Sequence, residues 1–184
     1  MFEILTAQPV KLTNYNPRAE KHGKQAMPAA DLMLEAAMPA TALDSLQHGL
    51  REALYKEAED QADLVEPDRN ALTARRFQKM QPFAWGWEGK GYTLEIDYGL
   101  GGDSNIQLDD CTVKDVRISP QEGGTVLFKF RVVAHPDEHD GGILTHRIQQ
   151  DITITLKAPP PQTVGELFGD DPEPQQEPVT AEED

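Results

Sequence analysis

Between Ile106 and Ile118 apolar residues alternate with polar ones, and the alternation loses parity twice. Ile106 and Leu108 fall on even positions, Cys111 and Val113 on odd ones, and Val116 and Ile118 on even ones again. A period of two marks a strand with one wet and one buried face. A slip in that period marks an inserted residue, a β-bulge, which bends the strand. Two bulges in one strand point to a sheet that curls or closes.

Other segments share the period. In Thr125–Val133, Val126, Phe128, Phe130 and Val132 are expected inward and Lys129 and Arg131 outward. Leu144–Leu156 places Leu144, His146, Ile148, Gln150, Ile152, Ile154 and Leu156 on one parity. With the turn-like HPDEHDGG between them, these two runs predict a long antiparallel hairpin. Tyr92–Tyr98 is a further strand with Leu94 and Ile96 inward, ending at a GLGGDSN turn. Phe2–Leu12 and Ala30–Ala36 are shorter strands, and the intervening NYNPRAEKHGKQ reads as a loop.

Leu43, Leu46, Leu50 and Leu54 recur at helical spacing behind Thr41, a candidate N-cap. Gly49 weakens this helix by up to about 1 kcal/mol without ending it. A second helix is expected from roughly Asp68 to Lys79, capped by Asp68. The fold class is therefore mainly β with some helix (α+β). An antiparallel curled sheet or barrel is expected, either oligonucleotide-binding-like or a β-sandwich, with one or two helices inserted mid-chain. Residues 1–157 form one β-rich domain, and residues 158–184 a disordered, acidic, proline-rich tail.

The charge is uneven. The chain carries −15 in total, and Ala158–Asp184 holds eight acids with no Lys or Arg. Residues 1–157 keep 24 acids against 17 bases, a charge of −7. A tail so poor in apolar residues cannot offset the entropy of ordering. Its exception is Val164, Leu167 and Phe168, beside Asp170 and Asp171, an island that either docks a partner or packs back on the body.

Against that acidity stands RRFQKMQPFAWGWEGKGY, residues 75–92. It gathers Arg75, Arg76, Lys79 and Lys90 against Glu88, and five of the twelve aromatics: Phe77, Phe83, Trp85, Trp87 and Tyr92. Cations neutralise phosphates and flat rings stack on unpaired bases, so this combination suits single-stranded nucleic acid. In a strand Phe83, Trp85 and Trp87 share one face, which is either a stacking platform or the inward face of a core strand. Lys129 and Arg131 would extend the basic surface. A duplex-reading basic helix is not visible.

Other constellations are weaker. Pro67-Asp68 followed by Glu88-Gly89-Lys90 matches the spacing of PD-(D/E)xK nucleases, whose carboxylates hold Mg²⁺. Here Asp68 reads as a helix cap, and the Glu-x-Lys lies between glycines. His135, Asp137, Glu138, His139 and Asp140 read as a solvated turn rather than a metal site. Cys111 reads as a small half-buried strand residue, and as a lone cysteine it allows no internal disulfide. The sequence implies no cofactor or metal.

The acidic, Pro- and Gln-containing C-terminus behind a β-rich body resembles the layout of bacterial and phage single-stranded DNA-binding proteins. That resemblance implies a replication or recombination accessory binding single-stranded DNA or RNA. Its tail, through Leu167, Phe168, Asp170 and Asp171, would recruit a replication or repair protein or compete with DNA for the groove. Family tails usually close on an aromatic residue, whereas this chain ends Glu182, Glu183, Asp184. The alternative is an acidic interaction module, or a DNA mimic that inhibits a host or defence protein. No secretory signal or membrane partner is expected. The expected location is cytoplasmic, in the bacterial host if the chain is phage-encoded, and a homo-oligomer is compatible with the sequence.

Overall fold

The computed structural model describes residues 1–22, 25–58, 72–97 and 104–160. Two long strands come first, β1 (Ile4–His22) and β2 (Gln25–Pro39). A 3-10 turn at Ala40–Ala42 leads into α1 (Leu43–Leu46) and α2 (Leu50–Leu54). The short strands β3 (Tyr55–Glu57), β4 (Leu72–Arg75) and β5 (Phe83–Ala84) follow. Then come β6 (Gly89–Asp97), β7 (Ile106–Pro120), β8 (Thr125–Ala134), α3 (Glu138–His146) and β9 (Asp151–Lys157).

Six strands make a ring in the order β7-β6-β9-β1-β2-β8, and pairing of β7 with β8 closes it. Every neighbour in the ring is antiparallel. This closure decides for a barrel over a sandwich and leaves the ring no edge to protect. β5 adds to β7 outside the ring, and β3 and β4 form a separate two-stranded sheet.

The parity slips in β7 are bulges, as the sequence predicts. Asp110 and Asp115 hold left-handed backbone, with φ of 52° and 55°. The β6–β7 register shifts between Tyr92 and Leu94, and the β7–β8 register between Lys114 and Arg117. Each shift returns the following apolar residues to the interior, so Ile106, Leu108, Cys111, Val113, Val116 and Ile118 are all buried. Val126, Phe128, Phe130 and Val132 of β8 face them, fully buried as expected. Phe2 completes this filling, with its ring centroid 5.2 Å from Phe128 and 5.0 Å from Phe130.

Several expectations need correction. The stretch from Asn14 to Gln25 is not a loop where it is described: β1 and β2 continue as a hairpin past the ring, with Pro17 opposite Ala30. Beyond Lys11 the β1–β9 pairing has ended, and an open edge tolerates proline. Leu144–Leu156 is not one strand, and it does not form a hairpin with β8. Leu144 and His146 belong to α3, and strand begins only at Asp151. Asp137 caps α3, its Oδ1 accepting from Asp140 N at 2.8 Å, with Glu138 and Asp140 in the first turn. The Gly141-Gly142 pair masks that start. β8 and β9 lie on opposite sides of the ring, so their connection must cross an end of the barrel, and α3 does so with Leu144 buried.

The Leu43–Leu54 helix is broken. Gln47 turns extended and ends one turn, Gly49 with φ 82° begins the next, and Thr41 caps neither. Leu43 and Leu54 still reach the core. The described part of the second expected helix is strand β4, paired with β3, followed by a turn over residues 76–79, while Asp68 lies outside the described residues. Among the described residues no helix is long and apolar enough to cross a membrane.

Cys111 is fully buried, and that burial pushes its thiol up to about 12. A neutral, enclosed thiol is a poor nucleophile. Native protein at pH 8 is expected to resist a thiol reagent such as DTNB, with modification appearing only as urea unfolds the barrel. Stoichiometric labelling without denaturant would show that the β6–β7 seam opens.

Candidate nucleic-acid interface

The bulge at Asp115 sets the site. Before it, β7 pairs with β6; after it, Ile118 and Arg117 pair with Phe83 and Ala84 of β5. The chain from β5 to β6 is thus laid along the outside of the barrel. Trp85 N donates to Val116 O at 2.8 Å, and Trp87 N donates back to Trp85 O at 2.8 Å, a three-residue turn around Gly86. A side chain added at Gly86 would meet nothing within 4 Å, so the turn is open above.

Between this turn and the outer faces of β7, β8 and β2 lies a cleft of about 800 Å³. Trp85, Gly86, Trp87 and Glu88 line one side, Lys114, Asp115, Val116 and Arg117 another, and Lys129, Arg131 and Met33 the rest, with Ala84 at the end. The two indoles are half-buried, between the two readings open from sequence: they pack on the core's margin and still face the cleft. Trp87 meets Tyr92 edge-on, with centroids 6.1 Å apart at 82°. Gly89 permits that contact, since a Cβ there would stand 2.7 Å from the far atoms of the Trp87 ring and 2.6 Å from Tyr92 Cε2. Gly89→Ala is therefore expected to cost about 1–3 kcal/mol and to tilt the indole. Chemical denaturation and the tryptophan emission maximum would check both; an unchanged emission maximum would mean that Trp87 is not held by this contact.

The basic groups come in opposed pairs. Lys114 stands across from Arg131, and Arg117 across from Lys129, on the outward faces of β7 and β8. Like charges directly opposite on neighbouring strands are destabilising. Two of the four are compensated from neighbouring positions. Lys129 Nζ lies 2.7 Å from Glu35 Oε2. Arg131 Nε lies 2.9 Å from Asp115 Oδ2, an ion pair without hydrogen-bond angles, and its Nη1 lies 3.7 Å from Asp31 Oδ2. Lys114 and Arg117 form no ion pair with a described residue. The lining holds four bases against two acids, in a chain whose net charge is −15.

The sequence-predicted residues divide. Trp85, Trp87, Lys129 and Arg131 meet in the cleft. Arg75, Arg76, Phe77, Lys79, Phe83 and Lys90 do not line it. Arg75 Nη2 donates to the carbonyls of Phe77, Gln78 and Met80 at 2.9–3.1 Å, folding its own loop. Arg76 Nε donates to the carbonyls of Glu52 and Tyr55, tying that loop to α2 and β3. Phe77 is 57% exposed and Lys79 is exposed. Phe83 is half-buried in β5. Lys90 is exposed, 3.7 Å from Glu88. Lys114 and Arg117 were missed by sequence reasoning.

Leu167, Phe168, Asp170 and Asp171 lie outside the described residues. Of the nuclease-like set, Asp68 does too, while Glu88 sits in a loop and Lys90 is the second residue of β6. The sequence from His135 to Asp140 is not a solvated turn throughout: it runs into the start of α3, and His135 lies 3.4 Å from Glu20. Among the described residues no three His, Cys, Asp or Glu side chains are arranged to hold a metal. Comparison with protein families, curated proteins and solved structures finds no match for this chain.

Proposed function

We propose that this chain binds single-stranded nucleic acid along the cleft between the Trp85–Trp87 turn and strands β7 and β8. The observation that carries the reading is the set of cross-strand cation pairs, Lys114 with Arg131 and Arg117 with Lys129, beside two half-exposed indoles. An acidic protein keeps opposed like charges at a cost, and an anionic ligand removes that cost. Phosphates on the cations and bases on the rings would use both halves of the cleft. Oligonucleotide-binding-type barrels, which have about five strands, bind on an outer sheet face in the same manner; this ring has six.

The direct test is quenching of tryptophan emission by a short oligothymidine at two salt concentrations. Both tryptophans of the chain line the cleft, so every emitting ring reports on it. Saturable quenching that weakens with salt is expected. No quenching at either concentration would remove this reading and leave the acidic interaction module, with a protein partner, in its place.

The tail enters as a competitor. Ala158 N donates to Glu3 Oε1 at 3.1 Å, and Pro159 lies against Gly91, two residues from the Gly89 that seats Trp87. Truncation after Pro160 removes all eight tail acids while keeping these contacts. It is expected to tighten oligothymidine binding severalfold at low salt and to change it little at high salt. Equal affinity of the two forms at low salt would mean that the tail never visits the cleft.

A further inference from the structure

Resting on the nucleic-acid reading, we infer that Glu88 gives the cleft a base preference and that the preferred base is guanine. Phosphate contacts carry no sequence information, and stacking on an indole tolerates any base. Base identity must therefore come from a group that can hydrogen-bond to a base edge. The cations of the lining are suited to phosphates, and Asp115 is held 2.9 Å from Arg131. Glu88 is the other acid of the lining. Its one ion pair among the described residues is with Lys90 Nζ at 3.7 Å, and the two side chains are 48% and 77% exposed. A carboxylate so loosely engaged, next in sequence to a stacking ring, has acceptor capacity to spare.

The chemistry of the acceptor selects the base. An ionised carboxylate has two acceptor oxygens and no donor, so it matches an edge with two adjacent donors. Guanine offers N1–H beside its N2 amino group. Adenine and cytosine each set one amino donor beside a ring nitrogen that accepts. Thymine sets one N–H between two carbonyls. Only guanine pairs with Glu88 through two parallel bonds without an opposing lone pair. A base stacked at the open turn around Gly86 would bring this edge toward the residue that follows Trp87.

The test compares three labelled oligomers by fluorescence anisotropy: oligothymidine, the same oligomer with isolated guanines, and the same with hypoxanthine at those positions. Hypoxanthine keeps N1–H and lacks the amino group. Each is titrated with the full chain and with Glu88→Gln. The guanine oligomer is expected to bind about tenfold tighter than oligothymidine, within the range of a bidentate base contact. Most of that gain, read as the ratio of guanine to thymine affinity within each form, should vanish with hypoxanthine and in Glu88→Gln; the loss of one acid from the lining raises binding of every oligomer alike and leaves the ratio to report on the base. Equal affinity for guanine and thymine, or a preference that survives Glu88→Gln, overturns the inference and leaves the groove standing. Failure of every oligomer to bind overturns the groove, and this inference with it.

Discussion

Replacing Trp85 and Trp87 together by alanine is expected to weaken oligonucleotide binding by about 2–6 kcal/mol, at 1–3 kcal/mol for each lost stack. The double variant has no tryptophan, so anisotropy of a labelled oligothymidine must be the readout. The two positions differ in what else they support. Trp87 leans on Tyr92 and covers Gly89, so its removal also loosens the start of β6. Trp85 is fixed through its backbone bond to Val116, which alanine keeps. Trp85 also packs on the core's margin, so the single change Trp85→Ala should cost some thermal stability, less than Trp87→Ala does, while losing about one stack. Trp85→Phe should restore most of the binding, because the ring and not the indole nitrogen does the stacking. A double variant that folds and binds as the parent does would remove stacking on these rings from the reading. So would binding loss that follows the fraction unfolded.

The strands were legible where the side-chain period is strict, whereas their closure into a barrel rather than a sandwich was not. The interior positions of β6, β7 and β8 follow from alternation alone, and the two slips in β7 give the bulges before any coordinate is known. What failed was local. Asp137 and the acids after it are a helix start, but two glycines make the same letters look like a turn. Gln149, with φ 67°, ends that excursion at a position where nothing in the alternation changes. Gly49 is one residue whose left-handed backbone could not be told from a tolerated helical glycine. At the site, the tryptophans announced themselves by composition. Lys114 and Arg117 were hidden, though the signal was present: between the buried Val113, Val116 and Ile118, a bulge at Asp115 turns both cations outward. The register with β8, which pairs them with Arg131 and Lys129, depends on closure of the ring, a non-local fact that a period cannot carry. Conversely, Arg75 and Arg76 looked like ligand contacts by density of charge, and their guanidinium groups are occupied by carbonyls of their own chain.

The second large effect lies in those opposed cations, where binding and stability should move in opposite directions. Lys114→Gln with Arg117→Gln removes both members that lack an ion pair among the described residues, and leaves the compensated Lys129 and Arg131. Each neutralised phosphate contact contributes about 0.7 to the slope of log K against log salt for a single strand. The slope is therefore expected to flatten by about 1.4, and affinity at low salt to fall by roughly one to two orders of magnitude. Meanwhile two like-charge cross-strand pairs are relieved, each worth about 0.2–1 kcal/mol, so the free protein should unfold at equal or higher denaturant concentration. Lys157→Gln serves as control, since it removes one exposed charge outside the cleft lining. It should change neither slope nor stability appreciably. A slope that stays put in the double variant would mean that phosphates do not sit on β7. A variant that loses stability along with affinity would make Lys114 and Arg117 structural, since an anion site held open against its own repulsion must gain stability when emptied of charge.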